Sequence, residues 1–145
     1  MEYLDIRLWG SDDKEHSLGD FLGTKVLLYF YPKDDTPGCT TEAKDFTALK
    51  DKFKAKGYQI IGVSRDSKAS HKRFCQKHGL DILLLSDTDS ELVNAFTVLK
   101  EKSLYGKKYL GIDRSTFLLD EKGQIVKEYR GVSPTNHAIT ILETI

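Results

Sequence analysis

Residues 25–56 read KVLLYFYPKDDTPGCTTEAKDFTALKDKFKAK, and the fold turns on how this stretch divides. Lys25 to Tyr31 is nearly continuous apolar sequence, the pattern of a central strand covered on both faces. Pro32 ends it, because proline has no N–H to give to a ladder. From Cys39 onward, Ala43, Phe46, Leu49 and Phe53 recur every three or four residues, as in a helix with one apolar face. Lys56 and Gly57 then supply the cation and the glycine of a helix C-terminus. A strand therefore feeds a helix through the Asp-, Pro- and Gly-rich residues 32–38.

Working outward, strand and helix signals keep alternating. Leu4 to Trp9 alternates apolar and polar residues and predicts a strand that turns through Gly10–Lys14 into an N-terminal β-hairpin. Tyr58 to Ser64 predicts a second buried strand, and Ser67 to His78 a second helix ended by Gly79. Ile82 to Leu85 predicts a short strand and Glu91 to Phe96 a short helix. Ser115–Leu119 and Gln124–Tyr129 flank Asp120–Gly123 as an antiparallel hairpin, and Pro134 to Ile145 closes the chain as a helix. With no repeat, low-complexity tract or linker in view, the expected architecture is one α/β domain, residues 1–145, with a central mixed sheet flanked by helices.

Composition narrows the function. The chain has 145 residues, 39% of them hydrophobic, enough for one domain with a sizeable core. Its 22 basic and 22 acidic residues balance, so no field gathers polyanions and nucleic acid is not an expected partner. No apolar run is long enough to span a bilayer, and Met1–Arg7 lacks a basic region followed by an apolar core. The expected location is the cytoplasm, with no membrane partner. Two cysteines, Cys39 and Cys75, do not make a disulfide framework; in a reducing compartment a thiol pair points to catalysis or redox sensing.

A thiol attacks as thiolate, and a free cysteine near pKa 8.5 is only about 3% ionised at neutral pH. Cys39 falls at a predicted helix N-terminus, where unpaired N–H groups and the positive dipole end favour an anion. Bringing a thiol to about pKa 6 takes roughly 3.4 kcal/mol, more than a helix terminus supplies, so a nearby cation is implied. Reduction of an O–O bond would also need donors placed around the sulfur. Thr36 lies three residues before Cys39, and Gly38 allows the backbone N–H groups of Gly38 and Cys39 to turn inward. On these features alone, a cysteine packed at a helix start beside an ordinary turn fits as well.

The loop resembles the peroxiredoxins: Pro32, Thr36 and Cys39 meet their P-x-x-x-T-x-x-C signature. The wider stretch Phe30-Tyr-Pro-Lys-Asp-Asp-Thr-Pro-Gly-Cys-Thr40 is similar to the bacterioferritin comigratory protein, or peroxiredoxin Q, branch, and the resemblance runs over most of the chain. It implies a thioredoxin-like fold and a thiol peroxidase acting on hydrogen peroxide and organic hydroperoxides. Cys39 would be the peroxidatic cysteine, with Thr36 orienting the peroxide and Pro32 shielding the sulfur. Arg114, which alone could be an ordinary surface arginine, opens Arg-Ser-Thr-Phe-Leu-Leu-Asp120. This is similar to a family stretch whose arginine lies against the sulfur, and it would supply the missing cation. Glu42, one helical turn past Cys39, matches an acidic position that can hold that arginine.

Many members of the branch carry a resolving cysteine five residues after the first, where this chain has Lys44. A minority place it on the later helix, which makes Cys75 the candidate. Cysteines on separate packed helices usually exceed the roughly 7 Å Cα separation a disulfide allows, so bonding would require unwinding of the Cys39 helix start and of the Cys75 helix. The branch implies a monomer recycled by thioredoxin or a similar dithiol, with no cofactor. Three alternatives stay open: a one-cysteine peroxidase using an external thiol, a non-catalytic thioredoxin-fold binding module, and a disulfide oxidoreductase, although Cys39 lacks a C-x-x-C partner. His71, Cys75 and His78 share a helix face at metal-ligand spacing but lack a fourth ligand, and no metal is expected. His16 and His137 show no evident partner.

Overall fold

The computed structural model describes all 145 residues. A 3-10 turn at Glu2–Asp5 precedes β1 (Leu8–Gly10), which pairs antiparallel with β2 (Glu15–His16). A second 3-10 turn, Leu18–Phe21, leads to β3 (Lys25–Phe30), α1 (Pro37–Ala55) and β4 (Tyr58–Ser64). Then follow α2 (Lys68–His78), β5 (Leu83–Ser86), α3 (Glu91–Ala95), β6 (Leu99–Leu104), β7 (Lys107–Ile112), β8 (Ser115–Leu119), β9 (Ile125–Tyr129) and α4 (His137–Thr144). Seven strands form one mixed sheet in the order β2-β1-β5-β4-β3-β8-β9, while β6 and β7 form a separate ribbon. The parallel pairs are β3 with β4 and β4 with β5; β8 runs antiparallel to β3.

β3 shows why its sequence is apolar at nearly every position. Successive strand side chains point to opposite faces, and the two cores divide them. Val26, Leu28 and Phe30 join the cluster that includes Leu92 and Val93 of α3. Leu27, Tyr29 and Tyr31 join the cluster that packs Phe46 and Phe53 of α1, Phe74 of α2 and Ile141 of α4. Both cysteines belong to this second face, with Cys39 in its buried core and Cys75 packed against it. Gly62 on β4 makes room there, since a Cβ at that position would stand 2.8 Å from Cζ of Tyr29.

The expected mixed sheet and N-terminal hairpin are present, with three differences. Residues 4–7 do not extend the first strand; Tyr3 instead turns its ring edge-on to Phe96, with centroids 4.9 Å apart. α4 begins at His137 rather than Pro134, after Asn136 in the left-handed region. The β6–β7 ribbon was not expected from sequence at all.

Candidate active site

Pro32 starts the loop just after the last strand bond, Tyr31 N–H to the Val63 carbonyl, and is half-buried. α1 then opens on Pro37 with Thr36 as the residue before it. Cys39 is therefore the third residue of the helix, in the turn whose N–H groups have no intrahelical acceptor. Thr36 does not cap them: its hydroxyl donates 2.8 Å to the Lys33 carbonyl, which leaves the oxygen lone pairs as its remaining hydrogen-bonding capacity. The helix start thus keeps its backbone donors, and Thr36 contributes an acceptor.

The Cys39 sulfur is buried, with 1% of the residue exposed. Across the sheet, Arg114 sits immediately before β8 and reaches it. One guanidinium nitrogen, Nη2, lies 3.4 Å from Cys39 Sγ, and the other, Nη1, donates 2.6 Å to Oε1 of Glu42. Glu42 is completely buried, so the planar guanidinium is held at one end while its other end faces the sulfur. Gly38 has a second use here, because a Cβ on it would stand 3.3 Å from Arg114 Nη2 and 3.1 Å from Pro134 Cγ. Its missing side chain lets the arginine lie over the helix start. Cys39, Thr36, Gly38, Glu42 and Arg114 are thereby gathered around one helix terminus.

Cys75 is half-buried on α2, and both thiols are free. Burial raises its pKa, partly offset by a hydrogen bond with Ser11. It also lines a cavity of about 400 Å³ with Ser11, His16, Lys50, Lys54 and Tyr58, away from Arg114.

The AhpC/TSA family pattern matches residues 2–128. The chain belongs to this peroxiredoxin family. The peroxiredoxin Bcp of Xanthomonas campestris is 48% identical over 97% of this chain and 88% of its own length. That of Bacillus subtilis is 46% identical over 97% and 90%. A solved structure of the Xanthomonas campestris bacterioferritin comigratory protein, studied for its alkyl peroxide reduction activity, superposes with a TM-score of 0.93. It is 46% identical and covers 98% of this chain and 90% of that one. The fold is thioredoxin-like, and the protein is a thiol peroxidase that acts on peroxides with the help of a reductant.

Several polar groups of this peroxiredoxin were not legible in its sequence. His137 is buried and its Nε2 lies 2.8 Å from the Thr116 hydroxyl; His16 pairs with Asp12 at 2.8 Å. His71 and His78, which share a helix face with Cys75, turn to different partners: His71 to Asp34 and the Leu85 carbonyl, His78 to Asp35. They do not converge with Cys75 on one point. Two buried polar atoms beneath the site, the Tyr29 hydroxyl and Oε2 of Glu42, have no partner.

Burial pushes the Glu42 carboxyl up to about 7 despite the pull of Arg114. A proton on the bare Oε2 would leave the Oε1 bond to Arg114 intact. Burial and the positive charge of Arg114 hold His137 down at about 4. A carboxyl raised from 4.5 gives stability that is full below that pH and is lost as pH rises towards 7. A histidine lowered from 6.5 gives stability that is full above that pH and is lost as pH falls towards 4. The two trends oppose one another between pH 4.5 and 6.5. Glu42→Gln removes the first, so between urea titrations at those two pH values its unfolding free energy should rise by about 2 kcal/mol more than that of the parent. Equal changes in the two proteins would mean that Glu42 ionises as an ordinary carboxylate.

Proposed function

We propose that Cys39 is the peroxidatic sulfur, that Arg114, Thr36 and the helix-start N–H groups bind the peroxide, and that Cys75 resolves the product. The observation that carries the first part is the Arg114 guanidinium, anchored 2.6 Å from Glu42 and aimed at Cys39 Sγ from 3.4 Å. A permanent cation at that distance attracts negative charge to the sulfur and can follow it onto the oxygens as the O–O bond breaks. Thr36 accepts the O–H of the hydroperoxide, while the N–H groups of Gly38 and Cys39 donate to its oxygens. Pro32 covers the loop side of the sulfur.

In the first step the Cys39 thiolate attacks the terminal peroxide oxygen. An S–O bond forms, the O–O bond breaks, and the sulfur is oxidised by two electrons to sulfenic acid. The departing alkoxide takes a proton and leaves as an alcohol, or as water when the substrate is hydrogen peroxide. In the second step the Cys75 sulfur displaces that oxygen as water and an S–S bond forms. A dithiol reductant such as thioredoxin then returns both thiols. Support for Cys75 comes from two structures of Xanthomonas campestris peroxiredoxin Q, each with a serine in place of one of two cysteines 36 positions apart. Cys39 and Cys75 have the same separation. Because Cys75 is half-buried and its pKa raised, it attacks better once its helix has opened. We place the enzyme in the cytoplasm, whose reducing poise suits two free thiols, and expect it to act as a monomer.

Peptide mass mapping after one equivalent of peroxide tests the cycle. The parent protein should give a 39–75 disulfide, and Cys75→Ser a sulfenic acid at Cys39 that passes to sulfinic acid with excess peroxide. Sulfenic acid persisting in the parent beside a reduced Cys75 would reject Cys75 as the resolving thiol.

A further inference from the structure

Two consecutive aspartates fasten the loop that delivers Cys39 to the helix that carries Cys75. The buried Asp34 carboxylate accepts from the Tyr31 hydroxyl at 2.6 Å, the Ser70 hydroxyl at 2.7 Å and Nδ1 of His71 at 2.8 Å. Its backbone N–H donates 2.9 Å to Asp66. The other ring nitrogen of His71, Nε2, faces the Leu85 carbonyl at 3.0 Å. That carbonyl can only accept. Burial pushes the Asp34 carboxyl up, but the bonds from His71, Tyr31 and Ser70 outweigh it and leave it below the usual carboxylate range. Both ring nitrogens of the fully buried His71 are thus engaged, one by the Asp34 carboxylate and the other by the Leu85 carbonyl. At the surface, Asp35, with its backbone in the left-handed region at φ 58°, accepts from Lys77 Nζ and His78 Nε2, each at 2.7 Å.

The loop thus grips α2 at residues 70 and 71, and again two turns later at 77 and 78, with Cys75 between the grips. α2 depends on them, because an 11-residue helix is marginal alone and its only buried residues are His71 and Phe74. We infer that Asp34 and Asp35, with Ser70, His71, Lys77 and His78, form a clamp that makes the start of α1 and all of α2 open as one unit, and that this opening sets the rate at which Cys39 sulfenic acid becomes the disulfide. The second half rests on Cys75 being the resolving thiol. Condensation forms the S–S bond and breaks the S–O bond, and the hydroxyl leaves as water with the Cys75 proton. While the clamp is shut, Cys75 stays on its helix. Once it opens, the loop before Cys39 is released at the same moment, so both partners of the bond become free together. These residues touch neither the peroxide nor the sulfurs; they act as positioning residues.

Native-state hydrogen exchange on the reduced protein tests the coupling. Amides of residues 71–79 and of the first turn of α1, including the Thr40 N–H bonded to the Thr36 carbonyl, should exchange through one opening. Asp35→Asn keeps a residue that tolerates the left-handed region but removes the negative charge of the outer grip. It should speed exchange in both segments by the same factor, about two- to fivefold as expected for exposed ion pairs. In rapid-quench assays, disulfide formation should accelerate by that factor too. His71→Gln should have a larger effect of the same kind, and Asp35→Asn carries the test alone if His71→Gln does not fold. Faster exchange in one segment only, or faster exchange without faster disulfide formation, would overturn the clamp. A parent protein whose sulfenic acid persists beside reduced Cys75 would overturn the kinetic half through the Cys75 assignment, leaving the joint exchange to be judged separately.

Discussion

Cys39→Ser is expected to reduce peroxide consumption to the uncatalysed background, a loss of at least about 10³-fold. A serine hydroxyl at the same helix start keeps the shape of the site and its donors, but it is not ionised at neutral pH and cannot be oxidised to a sulfenic acid. Cys75→Ser should behave differently. It keeps the first step and loses only the route by which the oxidised sulfur is returned, so a single turnover survives while steady-state turnover with a dithiol reductant fails. A coupled peroxide-consumption assay, run beside a single-turnover measurement, separates the two variants. Turnover surviving Cys39→Ser would mean that the chemistry belongs elsewhere in the chain.

Arg114→Ala is expected to lower kcat/KM for hydroperoxide by about 10² to 10³, the range found when one preorganised donor to a developing negative charge is removed. The substitution also strands Glu42, which is fully buried and has Arg114 as its only hydrogen-bonding partner. Removing one member of a buried ion pair costs about 3 to 5 kcal/mol when the remaining charge is uncompensated; here Glu42 can escape part of that cost by taking a proton. Loss of rate could therefore be confused with loss of fold. The double variant Arg114→Ala/Glu42→Gln separates them: it should recover thermal stability while remaining as slow as the single variant. Arg114→Lys should be intermediate, because a compact ammonium cannot bridge a carboxylate and a sulfur as a planar fork does. A double variant with parental kcat/KM would exclude Arg114 from the reaction.

The part of the fold that carries Cys39 was readable because its signals are strong and local. A strand buried on both faces from Val26 to Phe30 must be apolar along that run, Pro32 must stop it, and the Phe46 and Phe53 spacing marks one face of α1. The β6–β7 ribbon escaped for the opposite reason. It lies outside the main sheet, most of LKEKSL and KKYLGI is exposed, and no buried face imposes alternation. Its turn places Tyr105 and Gly106 at positive φ, a geometry most often signalled by Asn-Gly rather than Tyr-Gly. Residues 4–7 alternate like a strand, yet Tyr3 and Leu4 pack against the core from a 3-10 turn, and alternation does not distinguish the two.

The candidate site divides in the same way. Cys39, Thr36 and Pro32 stand within eight residues of one another and form a pattern, whereas Arg114 is 75 positions from Cys39 and was found only through a resemblance of its own segment. The geometry then supplied what spacing could not: the 2.6 Å anchor on Glu42, the use of Gly38 as clearance for the guanidinium, and the acceptor role left to Thr36. The Asp34–His71 pair had no local signal whatever. Its members are 37 positions apart, and an aspartate in a loop or a histidine on a lysine-rich helix reads as solvated until the fold buries both.

The sharpest test follows the Cys39 sulfur itself. Reduced Cys75→Ser protein is mixed with hydrogen peroxide in a stopped-flow instrument, and the oxidised residue is then trapped with a sulfenic-acid-specific dione and located by mass spectrometry. A second-order rate at least about 10³-fold above that of free cysteine, with the adduct on Cys39, is the expected result. A rate no faster than free cysteine, or an adduct absent from Cys39, would contradict the assignment.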